Sequence, residues 1–113
     1  MRDLSKRLLV GFSRVDITPE NGVAMEGYFI PRHVEGVLDR LEASTMALVM
    51  NGEKILIVSM DICQIKQVEM DIFREAICEA TGVPTTNIYL TATHTHTGPW
   101  VFAANVGDLE LKY

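Results

Sequence analysis

The sequence predicts an α/β fold, with a mixed sheet that contains one β-hairpin and one strand-helix-strand unit. Three observations carry this. Two apolar runs, Thr45 to Met50 and Ile55 to Met60, are joined through Asn51-Gly52, a dipeptide that tolerates positive φ at both positions and so favours a two-residue hairpin turn. An amphipathic helical pattern follows the second run, and a further apolar run, Ile88 to Thr93, follows the helix. A strand, a helix and a strand in that order build a parallel crossover.

The elements can be justified in chain order. Leu8 to Ile17 is rich in Leu, Val and Ile and reads as the first strand, closed by the turn chemistry of Asp16, Thr18 and Pro19. From Glu20 to Leu41 the punctuation by Gly22, Gly27, Pro31 and Gly36 breaks every period, which predicts a long loop with Met25 to Phe29 docked on the core. After the hairpin, Ile65, Val68, Ile72, Phe73, Ala76, Ile77 and Ala80 recur at helical spacing while Glu69, Arg74 and Glu75 fall off the stripe. Gly82 can cap this helix, Pro84 prevents its continuation, and Asn87 leads into the last strand.

That last strand runs into Thr93-His94-Thr95-His96-Thr97-Gly98-Pro99. If the strand continues, its period of two puts the imidazoles of His94 and His96 on one side of the backbone, where both could address one site. Imidazole ligates zinc and also carries protons near neutral pH, so the pair suits a metal role, a proton-transfer role or a structural one. The hydroxyls of Thr91, Thr93, Thr95 and Thr97 could bond an imidazole or a bound oxygen. A parallel pairing of Ile55 to Met60 with Ile88 to Thr93 brings Asp61 and His94 to the same sheet edge, where open α/β sheets hold their ligands. Asp61 reads first as a helix-preceding cap, and otherwise as a metal ligand or an acceptor that orients a histidine.

Composition narrows the function classes. The chain has 113 residues, 48% of them hydrophobic, enough for a core and against disorder. A formal charge of −5 without a basic run argues against a nucleic-acid partner, which would require clustered Lys and Arg. Leu8 to Val10 is too short for a signal-peptide core and no segment reaches membrane-spanning length, so a cytoplasmic protein is expected. Cys63 and Cys78 lack zinc-ribbon or redox spacing and read as buried free thiols in a reducing compartment.

The chain also resembles a known family, the neutral/alkaline non-lysosomal ceramidases. The Thr93 to Pro99 run is similar to that family's Thr-His-Thr-His-Ser-Gly-Pro motif, differing at Thr97. Val10 to Thr18 resembles its opening Gly-x-x-Arg-x-Asp-x-Thr strand, Gly27-Tyr28 its Gly-Tyr loop, and Ile55 to Asp61 its Val-Val-Phe-Val-Ser-x-Asp strand, all in the same order. The resemblance implies that residues 1–113 are the N-terminal portion of a ceramidase-like zinc hydrolase domain, an incomplete part of a larger α/β catalytic domain. It implies hydrolysis of the amide of N-acylsphingosine or a related lipid amide by metal-activated water, with His94 a zinc ligand and His96 the catalytic, substrate-facing residue.

Two departures stand out: Trp100-Val101 replaces the family's Gly-Gly, and Leu38-Asp39-Arg40 replaces its His-x-Arg. The family's remaining zinc ligands lie downstream, so the chain alone is expected to be inactive and to self-associate or depend on a missing C-terminal region. His33, Glu20, Glu26, Glu35 and Asp108 are local candidates for a self-contained site, although loop carboxylates are usually solvated. Two alternatives remain: a small non-catalytic α/β binding or assembly domain with structural histidines, and a hydrolase of the same superfamily acting on another amide or ester.

Overall fold

The structure, a computed structural model, describes residues 7–101 of the chain. Its elements are β1 (Leu9–Asp16), β2 (Glu42–Met50), β3 (Glu53–Met60), α1 (Gln67–Thr81), a 3-10 turn (Thr85–Asn87) and β4 (Ile88–Ala92). They form one four-stranded sheet in the order β1-β2-β3-β4. The first two pairings are antiparallel and β3 with β4 is parallel, so the sheet is mixed as the sequence predicts.

The hairpin forms where Asn51-Gly52 requires it. Asn51 has φ 53 and Gly52 φ 79, and Met50 pairs directly with Glu53. Positive φ at both central residues is the turn whose twist matches the flanking strands. The helix also ends as expected, with Gly82 in the left-handed region at φ 75 and its N–H donating to the Cys78 carbonyl at 2.8 Å.

The helical stripe needs correction. Phe73 and Ile77 pack on the core with Met70, but Val68 and Ile72 are exposed, at 61% and 42%. Glu69, off the expected stripe, is 2% exposed. Its carboxylate accepts the Lys66 backbone N–H at 2.6 Å, so a helix-capping need, which periodicity does not register, holds it inside.

The core comprises Leu56, Val58, Val83, Ile88 and Leu90, with α1 against the β3–β4 half of the sheet. Alternation in β3 and β4 buries Leu56, Val58, Ile88 and Leu90 while Tyr89 is 52% exposed. The β1–β2 half has less cover. Phe12 is 79% exposed and Val15 61%, and an apolar groove of about 650 Å³ opens among Val15, Ala43, Val58, Phe73, Ile77 and Val101. A sheet whose apolar face opens into such a groove over its β1–β2 side fits part of a larger α/β domain. Among the described residues, no helix is long and apolar enough to cross a membrane.

The long loop is irregular, as expected, yet it is tied down at both its base and its middle. At the base the Ile17 N–H donates to the Leu41 carbonyl at 2.9 Å and Arg40 pairs with Asp16 at 2.9 Å. Hydrogen bonds from the Thr18 hydroxyl and N–H, with the Arg40 guanidinium, hold the Asp16 carboxyl below its usual range. In the middle, Met25 bridges Pro99, the Trp100 N–H donates to the Ala24 carbonyl at 2.8 Å, and the Glu26 N–H to the Gly98 carbonyl at 3.3 Å. The docking expected for Met25 to Phe29 is therefore confined to its first residues, because Phe29 is fully exposed.

Candidate metal centre

The histidines converge, but not by strand alternation. β4 ends at Ala92, and His94 adopts the left-handed region at φ 64. A non-glycine residue there costs about 1–2 kcal/mol, and its neighbours must hold it in place. The backbone supplies that hold: the Thr93 N–H donates to the Met60 carbonyl at 3.0 Å and the His94 N–H to the Ile62 carbonyl at 3.1 Å. The turn then brings His94 and His96 into an edge-to-face contact with ring centroids 4.8 Å apart.

Each ring is also anchored by its own Nδ1. His94 Nδ1 lies 2.8 Å from the Cys63 carbonyl oxygen, and His96 Nδ1 lies 2.9 Å from that of Gly27. A carbonyl can only accept, so both Nδ1 atoms carry the proton and each neutral ring keeps its lone pair on Nε2. Metal-binding histidines are commonly oriented in this way. Gly27 has φ +101, and a Cβ there would stand 2.5 Å from His96 Nδ1, so only glycine allows the loop to approach the ring. Tyr28 contacts His96 edge-on at 6.3 Å, and the Arg32 guanidinium lies 4.5 Å over the Tyr28 ring.

Cys63 completes the cluster. Its thiol and one ring nitrogen from each histidine all lie within 4.8 Å of one another, and Cys63 Sγ is 3.6 Å from His94 Nδ1. The thiol is buried and both histidines are exposed. Burial, with the Glu26 carboxylate nearby, pushes the Cys63 thiol above its usual range. A thiol so disposed is protonated at neutral pH, and because His94 Nδ1 already donates to a carbonyl, the pair is not an activated cysteine nucleophile.

Comparison with known proteins bears on the fold. No protein-family model and no curated protein sequence matches the chain. Solved structures do. A ceramidase complexed with C2 superimposes with a TM-score of 0.70 and 29% identity, covering 82% of this chain and 15% of that one. The neutral ceramidase from Pseudomonas aeruginosa gives 0.70 and 29%, covering 82% of this chain and 16% of its own. The fold is ceramidase-like. The chain thus spans only a small part of the length of those ceramidases.

Within the ceramidase-like fold, the parallel pairing of Met60 with Ala92 brings Asp61 and the histidine segment to one edge, as expected. Asp61 has a different task from those foreseen. The helix is capped at Lys66, and Asp61 instead accepts the Glu42 N–H at 2.9 Å and the Thr93 hydroxyl at 3.2 Å. The carboxylate therefore neither caps α1 nor bonds a histidine, because the end of β3 places it between two strand ends. The threonine hydroxyls likewise turn to the backbone and to each other: Thr91 donates to the Val58 carbonyl, and Thr95 and Thr97 lie 3.0 Å apart.

The local ligand candidates also rearrange. His33 is exposed and bridges Ala24, Glu20 and Glu35 are exposed, and none of them joins the cluster. Asp108 lies outside the described residues. Glu26, expected to be solvated, is 8% exposed, because its backbone pairs with Gly98 and Gln64 Nε2 donates to its Oε1. Its Oε2 is buried without a hydrogen-bond partner. Both cysteines are free, Cys63 buried and Cys78 half-buried.

The residues fit a metal. Cys63, His94 and His96 each offer one donor atom to a group that could hold a metal ion. The sequence signal for Cys63 was its position just beyond β3, level with the histidine segment across the parallel pair. Spacing rules search for cysteines paired with cysteines and pass over it.

Proposed function

We propose that the chain is the N-terminal portion of a ceramidase-like, zinc-dependent hydrolase domain that cleaves a lipid amide such as N-acylsphingosine. His94 binds the zinc through Nε2 and His96 is the catalytic neighbour facing the substrate. The observation that carries this reading is the locking of both Nδ1–H groups on backbone carbonyls, which leaves Nε2 as the basic nitrogen of each ring. The likeness to the two ceramidases supports the substrate class.

When bound, zinc polarises a carbonyl and brings the pKa of a coordinated water to about 7. The chain's own residues do the rest. Amide hydrolysis adds a hydroxyl to the acyl carbon, breaks the C–N bond and delivers a proton to the departing nitrogen. We assign that proton to His96 Nε2, with the Gly27 carbonyl holding Nδ1–H so that the ring cycles between neutral and protonated forms without reorienting. His94 needs no such freedom, and its ring is fixed by Cys63 O. The remaining ligands of a hydrolytic site come, in this reading, from residues outside this span, and the chain alone turns over no substrate.

Zinc titration of the chain by calorimetry tests this reading. Wild type is expected to bind, and His94→Ala to bind weaker by on the order of 100-fold or more, since a primary ligand is lost. Equal affinity in the two would end His94's role as a ligand, and hydrolysis of N-acylsphingosine by the chain alone would end the dependence on further ligands.

A further inference from the structure

We infer that the tip of the long loop, residues 28–31, docks on an anionic phospholipid surface, with Phe29 and Ile30 entering the acyl boundary and Arg32 pairing with lipid phosphates. The inference deepens the reading of the chain as part of a lipid-amide hydrolase, and rests on it in one respect: the docked surface is the one that presents substrate to His96.

The loop presents this tip on a held base. The Gly22 N–H donates to the Val34 carbonyl at 2.7 Å, the Val34 N–H to the Val23 carbonyl at 2.9 Å and the Met25 N–H to the Arg32 carbonyl at 2.9 Å, with Ala24 bridging His33 antiparallel. This short ribbon is pinned to the histidine segment, because the Glu26 N–H donates to the Gly98 carbonyl and the Gly27 carbonyl accepts from His96 Nδ1. Beyond the pin the side chains are apolar and bare. Phe29 is 109% exposed and Ile30 69%. An aromatic and an aliphatic side chain standing together clear of the core mark an interaction surface.

Charge selects the occupant. Residues 27–34 contain Arg32 and His33 and no Asp or Glu, in a chain whose formal charge is −5. The Arg32 guanidinium is stacked 4.5 Å over the Tyr28 ring, while the ion pairs of the described residues are made by Arg14 and Arg40. A cation held beside an apolar tip and open to an outside anion matches a lipid interface, which offers phosphates at headgroup level and acyl chains beneath them. Tyr28, 36% exposed, stands between the two with the amphipathic ring that suits that level. The groove over β1 and β2 calls for a different cover, since it is a concave sheet face with no charged residue in its lining, as a protein layer would fill. Gly27 and Tyr28 both contact His96, so docking of the tip brings that ring close to the lipid surface.

Co-sedimentation of the full chain with vesicles tests this. Wild type is expected to pellet with vesicles of equimolar phosphatidylcholine and phosphatidylserine, and the double variant Phe29→Ser/Ile30→Ser to bind them weaker by roughly tenfold or more, with circular dichroism verifying its fold. Arg32→Ala is expected to lose about fivefold on these vesicles and to match wild type on phosphatidylcholine alone. Depth is read by a probe that does not depend on lost binding. Phe29→Trp in a Trp100→Phe background, where no other tryptophan remains, is expected to shift its emission to the blue on vesicles and to be quenched by brominated acyl chains. Wild type left in the supernatant, a double variant that binds as wild type does, or an unquenched Phe29→Trp probe overturns the inference. Self-association of wild type that the double variant abolishes, without vesicle binding, also overturns it and assigns the tip to a protein contact. The zinc titration is independent of all these results, so the docking and the role of His94 fail separately.

Discussion

Replacing Gly27 by alanine is expected to destabilise the chain and to unseat His96. Two costs combine. An L-residue at φ +101 carries strain on the order of 1–3 kcal/mol. The new methyl would also stand 2.5 Å from His96 Nδ1 and 2.6 Å from Cγ, so the ring must leave the carbonyl that holds it. Thermal unfolding is expected to drop by roughly 10 °C. Nitrogen NMR of His96 is expected to show a loss of the single Nδ1–H tautomer. The close approach can be isolated with a double-mutant cycle: in a His96→Ala background the ring is gone, and Gly27→Ala should cost about 1 kcal/mol less. Additive effects of the two changes would mean that loop and ring do not meet.

Asp61→Ala is expected to cost about 2 kcal/mol. The carboxylate joins two segments by accepting from the Glu42 N–H where β2 starts and from the Thr93 hydroxyl on the way to His94. Its own N–H donates to the Glu42 carbonyl at 3.0 Å. Removing the side chain leaves a half-buried amide without its charged acceptor, and bonds of this class contribute about 1.5–3 kcal/mol. Thr93→Val removes only the second bond and should cost about 0.5–1.5 kcal/mol. Denaturant unfolding of the two variants against wild type measures both. Asp61→Ala unfolding at the wild-type midpoint would show that the clamp contributes nothing.

Most of the scaffold was legible in the sequence because local signals dictate it. Asn51-Gly52 fixes a turn through backbone sterics alone, Gly82 ends a helix for the same reason, and the strand-helix-strand order brings Asp61 and His94 to one edge. The site was legible only in part. The sequence singles out His94 and His96, but their convergence comes from a left-handed residue after Ala92, in a threonine-rich stretch whose propensity favours continued strand. Glu26, Gly27 and Cys63 gain their places through contacts between segments distant in sequence. The pairing of the loop with Gly98 to Trp100 buries Glu26 and carries Gly27 to His96, and no period within the loop announces it. Val68 misled for the opposite reason: its spacing is helical, but its face of α1 has no partner among the described residues.

His94 has one further consequence. Its backbone is bonded to Ile62 and its ring to Cys63, so the rotational entropy of the imidazole is surrendered when the chain folds, not when a ligand arrives. In the proposed metal role of His94, occupancy of the centre is thereby coupled to the zipper between the ends of β3 and β4. Each transient opening of the Met60–Ala92 end releases the backbone anchor and the ring together, and the ligand sees only the closed fraction. Substitutions far from the histidines that fray this one end should therefore weaken binding without touching a donor atom.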